Sequence, residues 1–352
     1  MSSIFSKILK SYDQNLPFVC FKKPNSSSLK AYFEKNSLLQ FSDSFKESGF
    51  VFSPFDHKNR TIIFLEKTSD IIEETYQNQS KIFRKNKNQT LFSDKENHLK
   101  LVQKGINAIK DKKFSKVVLS RKEMIKTEAV DMLSVFERLV QTYQNAFVYV
   151  WFHPKVGLWI GATPEKLMTL KNNKFHTVAL ASTQNYEGNL TPVWGDKEKI
   201  EHQYVVDYIV SQIKSQKNEF ILKDFNVSET YTVRAGNLLH LKADITGVID
   251  NFNLNKFIQT LHPTPAICGL PRESSKAFII NNENYQRTYY SGFLGEINID
   301  FQTELFVNLR CAEIDKDIVT IFVGGGITID SDPEKEWEET LNKTKTIKIM
   351  FS

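Results

Sequence analysis

The chain has 352 residues, 41% apolar and 12% aromatic, enough for a large core, and its net charge of +5 is spread without a basic block or basic-aromatic ladder. That distribution argues against nucleic acid as a partner and suits a small anionic substrate. Three cysteines outside any motif give no disulfide framework or zinc site. No apolar run reaches membrane-spanning length and residues 1–15 lack a signal-peptide centre, so a cytoplasmic chain with no membrane segment is expected.

Over residues 1–90, short apolar runs at Leu16–Phe21, Phe50–Phe52 and Thr61–Leu65 alternate with Asn/Ser-rich turns and predict strands, and residues 83–97 read as a polar loop. From Lys95 to Lys113 the period changes, with Leu99, Val102, Ile106 and Ile109 at helical spacing. A β-branched strand follows at Phe114–Arg121. Alternation sets Lys116, Val118 and Ser120 on one face and Val117 and Leu119 on the other. A lysine there is costly to bury without a partner or a task, although an edge-strand lysine that blocks aggregation has the same pattern.

A helix is predicted at Leu133–Tyr143, then strands at Phe147–Phe152 and Gly157–Ile160. Glu165 follows behind Pro164, a position that the first turn of a helix would also occupy. A strand at Phe175–Leu180 precedes a helix at Asp196–Lys214 with a core stripe of Val206, Ile209, Val210 and Ile213. Glu201 stands at the edge of that stripe, and the Glu201-His202 pair is by itself a weak metal signal.

Further strands are expected at Tyr231–Val233, Leu238–Ile249, Gly292–Ile299, Glu304–Ile314 and Ile318–Ile329, the last two joined by a hairpin turn at Asp315-Lys316-Asp317. Two prolines stiffen the loop Leu261–Ala266. Within Glu304–Ile314, Asn308 and Arg310 would alternate away from Val307, Leu309 and Cys311. Gly324–Gly326 read as a glycine turn, and Asp332-Pro333 as the start of a helix. On that helix Glu336, Glu339 and Lys343 share a face. The arrangement suits Mg²⁺ with a carboxylate substrate, and equally a solvated face laced by ion pairs. The chain has no P-loop, GxGxxG, HExxH or GxSxG.

Eight segments in order resemble the chorismate-utilising enzymes, the family of isochorismate, salicylate, anthranilate and aminodeoxychorismate synthases. They are FSKVVLSR (114–121), GATPEKL (161–167), KEKIEHQYVVD (197–207), HLKADITG (240–247), LHPTPAICGLP (261–271), RTYYSGFLG (287–295), FVNLRCAE (306–313) and VGGGITIDSDPEKEWEETLNK (323–343). The resemblance covers residues 95–352. It implies an α+β fold of two large, mostly antiparallel sheets packed face to face with helices outside, and residues 1–94 are expected to complete the sheets of one integrated domain.

Carried over by residue, it implies Glu201 and Glu339 as Mg²⁺ ligands. Gly324, Gly325 and Lys343 would meet the ring carboxylate of chorismate, and Arg310 and Tyr290 the enolpyruvyl carboxylate. Ser182, Thr183 and Ala266 would line the ring pocket. Glu336 and Glu198 would support the ligands from behind, and His262 would order its loop. Two positions depart from the pattern: Ser182, where glycine is usual, and Cys268, where a small residue is expected.

Members differ in what attacks C2 of the ring. Lys116, where anthranilate synthases typically carry glutamine, and Ala181, which leaves room where aminodeoxychorismate synthases place a nucleophilic lysine, both imply attack by water. Lys116 would be the base and Glu165, its pKa raised, the acid that protonates the departing C4 hydroxyl. The expected product is isochorismate, for menaquinone as the default or for a siderophore. A salicylate synthase, which goes on to eliminate pyruvate, is the first alternative, and a non-catalytic chorismate-binding protein the second. A monomer without a glutaminase subunit is expected.

Overall fold

A computed structural model describes residues 3–76, 88–127, 130–216, 218–235 and 238–351. Among these residues two antiparallel sheets of ten strands each dominate. The first runs in the order Gly269–Leu270, Lys116–Thr127, Ile318–Ile327, Cys311–Asp315, Gly157–Thr163, Phe147–His153, Phe18–Lys22, Ser28–Phe33, Asp70–Thr75, with Asn88–Ser93 also paired to Lys116–Thr127. The second runs Ile221–Val227, Leu238–Asp250, Lys174–Asn185, Lys166–Lys171, Gln302–Val307, Phe293–Ile299, Gly49–Ser53, Thr61–Leu65, Phe41–Ser42, with Tyr231–Ala235 beside Leu238–Asp250.

Strand alternation explains why the sheets stack. Phe147–His153 is buried at every position. Phe147, Tyr149 and Trp151 enter an aromatic layer that also takes Phe50, Phe52 and Phe306 from the second sheet, while Val148, Val150 and Phe152 join the core on the outer side. Within the layer the Phe52 and Tyr289 rings stack at 4.2 Å and those of Trp159 and Phe322 at 5.3 Å. Helices cover the outer faces. Ser3–Asp13 and Met132–Thr142 pack on one part of the first sheet, and Lys95–Lys110 supplies Val102, Ile106 and Ile109 against Val117, Leu119 and Ile327. Asp196–Ser215 and Leu254–Leu261 cover the second sheet. The expected two-sheet architecture with helices outside is the one observed.

Three local expectations are corrected. Gly324–Gly326 do not turn; they lie inside the strand Ile318–Ile327, paired with Ser120, Leu119 and Val118. Glu304–Ile314 is two strands, Gln302–Val307 in the second sheet and Cys311–Asp315 in the first. Asn308–Arg310 carry the chain from one sheet to the other, and Arg310 takes a left-handed φ of 47°. Of the expected loop at 83–97, residues 83–87 lie outside the described residues, 88–93 form a strand, and the helix begins at Lys95, capped by the Asp94 side chain on the Asn97 N–H. The helix Ser3–Asp13 escaped notice although Ile4, Phe5 and Ile8 form its buried stripe.

Candidate active site

Two places where the chain changes sheet run side by side. One is Thr163–Lys166, leaving the strand Gly157–Thr163 of the first sheet for Lys166–Lys171 of the second; the other is Val307–Cys311. They are stitched together: Thr163 Oγ1 donates to the Val307 carbonyl at 2.6 Å, the Val307 N–H to the Glu165 carbonyl at 2.9 Å, and the Ala162 N–H to the Arg310 carbonyl at 3.1 Å. Glu165 and Arg310 therefore ride on adjoining crossovers. This also disposes of the helix-start reading of Pro164-Glu165, because a strand follows.

Glu165 keeps some exposure while sitting deep in protein. Burial raises its carboxyl to a pKa of about 7, against the pull of the Lys116 and Lys343 charges. Arg310 is half-buried, and burial holds its pKa below the ordinary arginine value. It forms no ion pair among the described residues, which suits it to a carboxylate arriving from outside.

Lys116 leaves the strand Lys116–Thr127 and forms an ion pair with Glu201 Oε1 at 3.1 Å, its side chain 14% exposed. A Cβ on Gly326 would lie 3.1 Å from the Lys116 Cε, and one on Gly324 would lie 3.1 Å from the Tyr290 hydroxyl, so the glycines leave a bare floor between these groups. Lys343 Nζ donates to the Gly324 carbonyl at 3.0 Å and pairs with Glu339. The Val118 N–H is turned to the Cys268 carbonyl, so alternation commits the backbone of Gly325 to Leu119 and turns that of Gly324 and Gly326 away from the Lys116 strand. Gly325 instead faces the acidic helix: its Cβ position is 3.3 Å from Glu336 Oε2 and 3.6 Å from Glu339 Oε1. Burial lowers the pKa of His240, which also feels the charges of Lys343, Arg310 and Glu339. The predicted residues thus gather from both sheets.

Both departures from the family pattern have a local explanation. Ser182 has a φ of 61° at a bulge between Ala181 and Thr183, a conformation that favours glycine, and its hydroxyl donates to the Glu198 carbonyl at 2.7 Å. The hydroxyl thus holds the helix that carries Glu201. The Thr183 side chain lies outside the described residues. Cys268 is fully buried with Leu119, Ile106 and Ile327 on the helix side, its thiol pushed up to about 12 by burial.

The loop with Ala266 (half-exposed) is fixed from both ends. His262 Nε2 donates to the Ser291 carbonyl at 2.9 Å, so its Nδ1 accepts from His57 Nε2 at 3.1 Å. Both nitrogens are engaged, as a loop-ordering role requires. At the other end Gly269, with φ 139°, pairs against Val117, where a Cβ would meet the Lys116 carbonyl at 2.2 Å.

Sequence reasoning missed the device that seats the Lys116 strand. Arg287 is buried and donates to both oxygens of Glu283, at 2.8 and 2.6 Å, to the Ile267 carbonyl at 2.9 Å and to the Val118 carbonyl at 2.7 Å. Glu283 also accepts from the N–H and hydroxyl of Ser120. No periodicity marks such an arginine; only its place in the 287–295 segment could have drawn notice. Replacing Arg287 with Met leaves Glu283 buried without its cation, and a loss of about 3–5 kcal/mol of stability is expected. A loss below about 1 kcal/mol in urea unfolding would contradict this.

The chorismate binding enzyme family matches over residues 49–351. The chain belongs to that family. It is 26% identical over 270 residues to isochorismate synthase MenF of Escherichia coli (73% of this chain, 61% of the relative). It is 31% identical over 247 residues to the vibriobactin-specific isochorismate synthase of Vibrio cholerae (66% and 61%). The chain thus matches about three fifths of the length of these relatives. The solved structure of the menaquinone-specific isochorismate synthase MenF of Escherichia coli superposes with a TM-score of 0.80 at 19% identity, covering 96% of this chain and 89% of the other, which shows the shared fold.

The donor set near Gly325 fits a hard cation. Glu336 Oε2 is buried with no hydrogen-bond partner among the described residues. Burial raises the Glu336 carboxyl; Ser331, donating at 2.7 Å, opposes this and the neighbouring Glu339 charge adds to it. A cation would relieve that repulsion. The described residues hold no cluster of three or more His, Cys, Asp or Glu side chains, so a cation here would keep waters and draw ligands from substrate, as Mg²⁺ does.

Proposed function

We propose that this chain is an isochorismate synthase, an isomerase that adds water at C2 of chorismate with loss of the C4 hydroxyl. The observation that carries the reading is a lysine and a carboxyl with pKa near 7 acting on one another across the junction of the sheets. A group to take a proton from water and a group to give one to the departing oxygen are what the exchange needs.

In this mechanism Arg310 and Tyr290 hold the enolpyruvyl carboxylate, while Lys343 and the Gly324 backbone meet the ring carboxylate. Ala266, Ser182 and Thr183 bound the ring. Mg²⁺, held by Glu201 and Glu339 with Glu336 behind them, would neutralise the ring carboxylate and favour the shift of the double bonds. A lysine is a base only as the free amine, so Lys116 must first give up a proton, to Glu201 or to solvent, before it accepts one from water at C2. Glu165 gives its proton to the departing C4 oxygen. No step requires ammonia, so no glutaminase subunit is called for. The product would serve menaquinone or siderophore synthesis, in the cytoplasm.

The deciding experiment incubates the protein with chorismate and Mg²⁺ and separates the products by chromatography. A chorismate–isochorismate mixture reached at the same ratio from either side, without pyruvate, is expected. Salicylate with equimolar pyruvate would move the assignment to a salicylate synthase. Binding without turnover would leave a non-catalytic chorismate-binding protein.

A further inference from the structure

A cavity of about 290 Å³ lies against the Lys116 strand at Ser120–Lys122, walled by the helix Lys95–Lys110 and by residues 282 and 284. Its lining carries Lys100, Lys104, Arg121 and Lys122 against a single carboxylate, Asp94. That carboxylate is already covered by the Asn97 N–H, the Asn97 amide at 2.7 Å and the Asn284 amide at 3.3 Å. Arg121 is committed to Glu123, Thr340 and Thr344. The three lysines have no ion pair among the described residues.

His98 supplies the independent sign of a ligand. It lines the same cavity, is 4% exposed, and its Nδ1 is buried with no hydrogen-bond partner among the described residues. Burial and the Arg121 charge keep its pKa at about 4, so near neutral pH the ring is uncharged and offers one N–H and one lone pair. Unpartnered buried nitrogens of this kind are uncommon unless something polar comes to meet them.

We propose that this cavity binds a small oxyanion, a phosphate or a dicarboxylate, between Lys100 and Lys104 with His98 at its base. A cation would be repelled by the lysines, and a neutral guest would leave them unanswered. The site bears on both halves of the catalytic region. Ser120 lines it and bonds Glu283, and Arg121 bonds Thr340 and Thr344 on the helix of Glu339 and Lys343.

The test follows the His98 imidazole in histidine-labelled protein by NMR, assigned with His98→Gln, at constant ionic strength. Inorganic phosphate and succinate are titrated separately, a readout independent of chorismate turnover. A saturable shift with at least one of them is expected, with affinity at least tenfold weaker in Lys100→Gln/Lys104→Gln, whose exposed side chains leave the core untouched. Lys122→Gln, whose side chain lies on the other face of the strand over the Tyr285 ring, should leave the affinity unchanged. A response to phosphate alone or to succinate alone identifies which oxyanion chemistry the cavity selects. No saturable shift with either, or equal affinity in all variants, overturns the proposal.

Discussion

Lys116→Ala is expected to lower chorismate turnover by roughly 10²–10⁴-fold, the range spanned by positioned general bases. Binding should survive, because the carboxylate contacts assigned to Arg310, Lys343 and the Gly324 backbone come from other elements. Glu201, freed of its 3.1 Å partner, would remain available to a cation. The substitution lies at the start of a strand held independently by the Arg287–Glu283 pair and by its ladder to Ile318–Ile327, so the fold should persist. Calorimetric titration with chorismate and Mg²⁺ alongside product chromatography separates binding from chemistry. A Lys116→Ala protein with near wild-type turnover would remove the lysine from the mechanism.

The second large effect concerns Glu165, whose carboxyl sits at about 7. As the acid it must carry its proton, so kcat/KM should fall on the alkaline side as pH rises through about 7, tenfold per unit once the group is ionised. Glu165→Gln should lose that limb together with roughly 10²–10⁴-fold of turnover. The substitution acts on stability in the opposite sense from its effect on turnover. A carboxyl raised above its unfolded value, about 4.3, binds more protons in the folded than in the unfolded state between those two pH values. Its contribution is therefore present below about pH 4.3 and is lost as pH rises through 7. Glu165→Gln should accordingly melt higher than the parent at pH 8 and show little difference at pH 4. An unchanged alkaline limb, or a variant less stable at pH 8, would contradict this assignment.

The sheets and outer helices could be read from local chemistry because each long element repeats its own period. Phe147–His153 alternates between two apolar layers, and the helix after Asp94 holds its stripe through Ile109. The helix face of Glu336, Glu339 and Lys343 could be read from spacing, but the candidate site as a whole could be assembled only through the resemblance, since Lys116, Glu201 and Glu339 lie far apart in sequence and no spacing rule links them. What sequence could not disclose was decided by tertiary contacts. Asn308–Arg310 looks like continuous strand, and it breaks because the chain leaves the second sheet at Val307, which bonds Glu165 and Thr163 of the neighbouring crossover, and joins the first sheet only at Cys311. Gly324–Gly326 looks like a turn, yet bare backbone is needed beside Lys116 and Tyr290. Edge strands such as Asp70–Thr75, with four of its six residues exposed and the other two half-exposed, lack the apolar alternation that announces a strand.

The paired crossovers act as two rivets through a laminate. Glu165 and Arg310 sit at the rivets, where slip between the layers is least. Lys116 rides on one layer, and Glu201 on a helix carried by the other. A slip of one residue's rise, about 3.3 Å, would pull that pair beyond reach while scarcely moving Glu165 against Arg310. Loosening the aromatic filling far from the rivets should therefore part Lys116 from Glu201 before it parts Glu165 from Arg310.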